Sequence, residues 1–138
     1  MKPTTRISSL SNSELKKLVK FVMSYCEMTF GTNKRKRTKL SVKLFQRAEE
    51  SKKICGWYCP YDNEITMFIK SNKDVSEFCS TFIHEYTHYL QPCRTKYKKL
   101  LDKYGYDKHP FEIQAYATEK HYGKKCMKVL KLTQKVKQ

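Results

Sequence analysis

The chain has 138 residues, of which 39% are hydrophobic and 13% aromatic, and this is enough for one domain, residues 1–138, with a single buried core. No stretch approaches the roughly 18 consecutive apolar residues of a membrane-spanning helix, and the N-terminal MKPTTRISSLSNSELKK lacks the apolar segment of a secretory signal, so we expect an intracellular, cytoplasmic protein. The formal net charge of +16 favours anionic partners such as nucleic acid, acidic proteins or membrane surfaces.

The N-terminal half of the sequence predicts one helix followed by strands. Ser11 and Glu14 have the spacing of a capping box, and apolar residues then recur at helical spacing, which predicts a helix over 12–29 that ends near Gly31. The basic segment TNKRKRTK follows and is predicted to be a loop. KLSVKLF, ICGWYC and EITMFI then have the character of strands, and they predict a small antiparallel sheet with a hairpin near residue 61.

The C-terminal half predicts helices, over residues 75–91, over 94–104 and from Pro110 to Gly123. Asp74 and Glu77 have the spacing of a helix start, and Pro92 cannot continue the helix that they open. Gly105 is a natural stop for the second helix, and proline is favoured at the first position of the third. A basic amphipathic tail is predicted from about residue 124.

The positive charge is unevenly distributed along the chain. Residues 54–92 carry 2 Lys/Arg against 5 Asp/Glu, whereas residues 1–53 carry 14 against 4 and residues 93–138 carry 13 against 4. A basic envelope therefore surrounds a slightly acidic centre. This surface could bind nucleic acid, or its lysines could simply be solvated. The six cysteines are expected to be reduced, since the chain lacks a secretory signal.

The stretch TFIHEYTHYL, residues 81–90, carries the strongest chemical signal. On a helix His84 and His88 lie one turn apart on the same face, so both imidazoles can reach one ion at about 2 Å, as zinc prefers. Glu85 lies roughly 100° around the helix, where it can accept a proton from a water that attacks a carbonyl group. This is the HExxH pattern of zinc metalloproteases. The alternative is two surface histidines on an ordinary helix.

Two histidines need a third protein ligand if the fourth position is to stay open for water. The downstream candidates are His109, Glu112, Glu119 and His121. Glu112 lies at the start of the helix that Pro110 opens, and the small Ala115 one turn later leaves room for close helix packing. Glu119 falls on the same helical face, so periodicity alone does not choose between the two glutamates. We predict Glu112 as the ligand and leave Glu119 as the alternative.

Several aromatic or imidazole side chains could also stabilise the oxyanion that forms when a carbonyl group is attacked. Tyr116, His109 and His121 are the candidates that lie near the predicted ligands in the sequence. Most of the ten tyrosines are expected to be packing residues, and of the three candidates we assign Tyr116, together with the zinc, to the oxyanion.

Together, TFIHEYTHYLQ and HPFEIQAYATE resemble the paired helices of compact zincin metallopeptidases of the gluzincin type, including short phage, viral and bacterial enzymes and, more loosely, the SprT-like group. The resemblance implies that His84, His88 and Glu112 bind one Zn²⁺ and that Glu85 is the general base. GWYCPYDNEITMFI resembles the hairpin whose outer strand borders the cleft of such enzymes, where an extended peptide pairs with the strand edge. The sequence lacks the third histidine of HExxHxxGxxH, which argues against the metzincin type.

These features predict an α+β, zincin-like fold with an N-terminal helix, a small antiparallel sheet, the HExxH helix and a second ligand helix. The predicted function is zinc-dependent hydrolysis of peptide bonds in a protein or peptide substrate. Two alternatives stay open. One is a SprT-like protease that acts on DNA-bound proteins, and the other is a non-catalytic, basic nucleic-acid-binding protein.

Overall fold

The structure, a computed structural model, describes residues 1–46, 54–92 and 94–136. Across these ranges the chain is α+β, as predicted, with four α-helices and one three-stranded sheet. The elements are α1 (Asn12–Phe30), β1 (Ser41–Phe45), β2 (Gly56–Cys59), β3 (Glu64–Phe68), α2 (Val75–Leu90), α3 (Arg94–Tyr104) and α4 (Pro110–Val136). None of the helices in the described ranges is long and apolar enough to cross a membrane.

The predicted starts of the first two helices are confirmed by their side-chain caps. At α1, the hydroxyl of Ser11 accepts from the backbone N–H of Glu14 at 3.1 Å, and the Glu14 carboxylate accepts from the backbone N–H of Ser11 at 3.0 Å. At α2, the carboxylate of Asp74 accepts from the backbone N–H of Glu77 at 2.9 Å. These bonds satisfy N–H groups that have no partner within the helix. The bounds of both helices agree with the prediction to within one residue.

The sheet has the order β1–β3–β2, and the prediction of a wholly antiparallel sheet is wrong. The β2–β3 hairpin is antiparallel, as expected, but β1 runs parallel to β3, with Val42 opposite Ile65 and Leu44 opposite Met67. Alternation of apolar residues identifies which face of a strand is buried, and it contains no information about strand direction. β3 is therefore central, and β2 lies at one edge.

Helix α4 does not end at Gly123, where the sequence predicted a stop, but continues to Val136. At Gly123 helix α4 packs closely against α2, since a Cβ atom there would lie 2.6 Å from the hydroxyl oxygen of Ser80. Beyond it, Cys126, Met127 and Leu130 are buried in the core. The segment predicted as a basic tail from about residue 124 is thus the second half of a helix that packs against the domain.

Helix α2 lies at the centre of the domain, with the sheet on one side and the helices α1 and α4 packed against it. Its apolar side chains, among them Phe78, Phe82 and Ile83, are fully buried in the single core. Close packing of this kind restricts the motion of a helix. The HExxH side chains are therefore carried on the most buried helix of the described structure.

Candidate metal centre

The side chains of His84, His88 and Glu112 meet at one point between α2 and the first turn of α4. The Nε2 atoms of the two histidines lie 3.3 Å apart, and Oε1 of Glu112 lies 3.1 Å from the His84 nitrogen and 3.0 Å from the His88 nitrogen. Ligand atoms around a tetrahedral zinc at 2.0–2.1 Å lie about 3.3 Å from one another. Within the described ranges, no other three or more His, Cys, Asp or Glu side chains converge in this way. The group could hold a metal ion.

The imidazole of His84 is oriented by a second carboxylate. Its Nδ1 lies 2.8 Å from Oε1 of Glu119, so an N–H at Nδ1 donates to Glu119 and the Nε2 lone pair is left for the cluster. Metal-binding histidines commonly make this kind of bond to a carboxylate, which fixes the tautomer and raises the basicity of the ligand nitrogen. Glu119 therefore lies beside the three-atom group without joining it.

The imidazole of His88 is oriented by an amide. The Gln91 amide nitrogen donates to the backbone oxygen of Phe111 at 2.9 Å and to the Gln114 side-chain oxygen at 2.8 Å. The Gln91 oxygen therefore faces His88, whose Nδ1–H donates to it at 2.7 Å. As with His84, the Nε2 lone pair is directed at the cluster.

The donor set also fits a cation on electrostatic grounds. Burial opposes protonation of His84, but its hydrogen bonds to Glu112 and Glu119 outweigh burial and raise its pKa to about 10, and the pKa of His88 is raised by Glu112 in the same way. Burial would raise the pKa of Glu112, but the hydrogen bonds from the two histidines and Tyr97 lower it. Two imidazolium ions with nitrogens 3.3 Å apart repel each other. One divalent cation neutralises the same carboxylate without that repulsion.

Glu85 is also buried, with 8% of its surface exposed, and it lines the same cleft as the three cluster residues. Burial raises the pKa of its carboxyl group to about 7, against the lowering effect of His84 and His88. A carboxyl group that titrates near neutrality can both accept and return a proton at physiological pH. A cation bound by the cluster would lower this pKa and favour the carboxylate.

A cleft of about 1030 Å³ is lined by the cluster residues and, on another side, by the residues of β2. Cys55 and Phe68, next to the β2–β3 ladder, form a hydrogen-bonded pair, because the backbone oxygen of Cys55 accepts from the N–H of Phe68 at 3.0 Å. Hydrogen-bonded pairs alternate along an antiparallel ladder, so the backbone groups of Gly56 and Tyr58 point away from β3. The cleft is rich in aromatic side chains, which include Phe45, Trp57, Tyr58, Tyr61, Tyr97, Tyr106 and Phe111.

The remaining candidates from the sequence are not cluster ligands. His109 is fully buried, and its Nδ1 accepts from the backbone N–H of Phe111 at 3.0 Å while its Nε2 donates to the backbone oxygen of Tyr97 at 2.8 Å. It therefore caps the start of α4. His121 is exposed and packs against the ring of Tyr122. Tyr116 does lie beside the cluster, with its ring 4.6 Å from that of His84.

Three residues that contact or approach the cluster were not among the predicted site residues. Gln91 lies three residues after His88, and this local spacing was an available signal for its hydrogen bond. Tyr97 donates its hydroxyl proton to Oε2 of Glu112 at 2.5 Å. Tyr106 places its hydroxyl 3.1 Å from that of Tyr116. The last two contacts depend on how α3 and the following loop pack, and the sequence carried no local signal for them.

No protein-family model matches this chain, and neither a curated protein nor a solved structure gives a match. The structure shows an α+β fold and a group of two histidines and one glutamate that could bind a metal ion. Function has to be inferred from the geometry and chemistry of that group.

Proposed function

We propose that this protein is a zinc-dependent metallopeptidase of the zincin type, with His84, His88 and Glu112 as the metal ligands. The observation that carries the proposal is the convergence of their ligand atoms within 3.3 Å of one another. Two imidazoles and one carboxylate are a donor set of known catalytic zinc sites, and imidazole favours zinc over magnesium or calcium. Glu85 lines the same cleft, as a general base must.

The proposed reaction is the hydrolysis of a peptide bond by water. Bound zinc would polarise the substrate carbonyl group and make the water more acidic. Glu85 accepts one proton from the water as its oxygen attacks the carbonyl carbon. When the carbon–nitrogen bond breaks, Glu85 passes that proton to the leaving amine. The hydroxyl of Tyr116, beside His84, is the candidate donor to the carbonyl oxygen as negative charge develops there.

An extended polypeptide is the substrate shape that suits the cleft. The outward backbone groups of Gly56 and Tyr58 on the β2 edge can form main-chain hydrogen bonds with an added strand. Such bonds do not depend on the substrate side chains. We therefore expect flexible or unfolded segments of protein to be cut in preference to compact ones.

Removal and return of zinc tests this proposal. Protein treated with a chelator is expected to lose hydrolysis of a denatured protein substrate, and addition of one equivalent of zinc is expected to restore it. Peptide products would be measured by mass spectrometry, with a His84→Ala/His88→Ala variant carried through the same purification as a control for contaminating proteases. Hydrolysis that persists in the chelated protein, or that the double variant retains, would refute a zinc peptidase.

A second candidate function, delivery of the site to protein bound on nucleic acid, is favoured by the basic loop, which we define as residues 34–39. Five of its six residues are Lys or Arg. The loop is tied to the end of α2, because Asn33 donates to the hydroxyl of Tyr89 and to its backbone oxygen, both at 2.9 Å. Four of the cations line a cavity of about 440 Å³: Lys34, Lys36, Arg37 and Lys39. A fixed array of cations suits a phosphate backbone.

The basic loop is expected to dominate any DNA binding. We expect replacement of Lys34, Arg37 and Lys39 by glutamine to weaken binding of a short DNA duplex about 10-fold or more, and to reduce the slope of log K against log salt by about 2 to 3. The measurement is fluorescence anisotropy at increasing salt. The control removes the same charge from the exposed face of α4, at Lys124, Lys128 and Lys131. An equal loss in both variants would mean that the charge acts diffusely and that the loop is no binding site.

A further inference from the structure

We infer that Tyr97 is a positioning residue that holds the Glu112 carboxylate so that a single oxygen faces both imidazoles. This inference rests on the proposed metal site. The hydroxyl of Tyr97 donates to Oε2 of Glu112 at 2.5 Å, whereas Oε1 lies 3.1 Å from the nitrogen of His84 and 3.0 Å from that of His88. The two carboxylate oxygens thus have separate partners.

The orientation of the carboxylate matters because a glutamate side chain turns easily about its last bond. The terminal torsion of glutamate is broad and roughly two-fold, so the backbone does not fix the angle at which the plane of the carboxylate meets the cluster. A hydrogen bond to Oε2 removes that freedom before a metal arrives. Partners of this kind, which contact a ligand and not the metal, typically contribute 10- to 100-fold to metal affinity.

Tyr97 is itself fixed by His109, the residue immediately before α4. Its ring packs on the imidazole of His109, with the ring centroids 4.0 Å apart, and its backbone oxygen accepts from Nε2 of His109 at 2.8 Å. The other nitrogen of His109 accepts from the N–H of Phe111 in the first turn of α4. Glu112 is the next residue along that turn. The tyrosine hydroxyl and the carboxylate that it contacts are therefore held by the same few residues.

A purely packing role for Tyr97 makes a different prediction. Among the described side chains of α3, Tyr97 and Leu100 are the two that are partly buried, and the rest are exposed. If Tyr97 served only to attach α3, its ring would suffice, and phenylalanine would replace it without loss. If its hydroxyl positions Glu112, phenylalanine keeps the ring contact with His109 and loses the hydrogen bond to the ligand.

The test measures zinc affinity in competition with a chromophoric chelator, together with the thermal unfolding midpoint of the metal-free protein. We expect Tyr97→Phe to weaken zinc binding about 10- to 100-fold and to leave the unfolding midpoint close to that of the wild type. Tyr104→Phe is the matched control, because Tyr104 is an exposed tyrosine at the end of the same helix. Its zinc affinity should equal that of the wild type.

Two results would overturn the inference. One is a Tyr97→Phe protein that binds zinc as tightly as the wild type. The other is a loss of affinity that Leu100→Ala reproduces at the same loss of thermal stability, which would assign Tyr97 to packing alone. Failure of the wild-type protein to bind zinc would be a separate result, since it would refute the proposed metal site and this inference with it.

Discussion

The change of Glu85 to glutamine is expected to slow peptide hydrolysis by at least two orders of magnitude and to leave zinc bound. Glutamine keeps the size of the side chain but cannot accept a proton from water, and general bases typically contribute about 10²- to 10⁴-fold to the rate. Glu85 is adjacent to His84, a proposed ligand, and is not a member of the three-atom group, so we expect zinc affinity within a few-fold of the wild type. The measurements are kcat/KM on a fluorogenic peptide and zinc content on the same sample.

A matched control for that experiment is Glu64→Gln. Glu64 also lines the cleft, but it lies on β3 and hydrogen-bonds to Ser41 at 3.1 Å. Its replacement should leave the rate within a few-fold of the wild type. If Glu85→Gln turned over substrate as fast as the control, the general base would have to be another group. If it lost its zinc, the test would instead point to a structural role for Glu85 in the metal site.

Replacement of the two glutamates on α4 is expected to have unequal effects on zinc binding. Glu112→Ala removes one of the three ligand atoms and should abolish binding at micromolar zinc. Glu119→Ala removes only the acceptor for Nδ1 of His84, so we expect a loss of about 10- to 100-fold. Glu119→Gln should bind nearly as well as the wild type, because its amide oxygen still accepts that hydrogen bond.

Isothermal titration of zinc into the metal-free variants measures this series directly. The order Glu112→Ala, Glu119→Ala, Glu119→Gln, from weakest to tightest, is the expected result. The reverse assignment, with binding lost in Glu119→Ala and only weakened in Glu112→Ala, would make Glu119 the third ligand. Circular dichroism of each variant separates a lost ligand from a lost fold.

The parts of the fold that were predicted correctly depend on interactions between residues close together in the sequence. The hydrogen bonds of Ser11 with Glu14 and of Asp74 with Glu77 join residues three apart, so they are visible in the sequence. The parallel pairing of β1 with β3 joins strands about 20 residues apart in the chain, and neither strand pattern encodes its direction. The prediction that α4 ends at Gly123 was wrong because the sequence does not distinguish a glycine that ends a helix from one that allows a neighbouring helix to pack closely.

In the candidate site, too, the contacts within one helix were predictable, and the contacts between elements were not. His84, Glu85 and His88 lie on one helix, so helical geometry alone brings the histidines together. Glu112 and Glu119 fall on one face of α4, and only the packing of α4 on α2 assigns the first to Nε2 and the second to Nδ1 of the same imidazole. Tyr97 reaches Glu112 across 15 residues of chain. No periodic pattern predicts a contact of that range.

X-ray absorption at the zinc edge of the zinc-loaded protein identifies the atoms that bind the metal. We expect one zinc per chain, a shell of nitrogen and oxygen atoms at about 2.0–2.1 Å, and outer-shell scattering from two imidazole rings. The five cysteines at described positions are free thiols, so they are competing zinc ligands. A zinc–sulfur distance of about 2.3 Å, or a wild-type protein that binds no zinc, would contradict the assignment of His84, His88 and Glu112 as a zinc site.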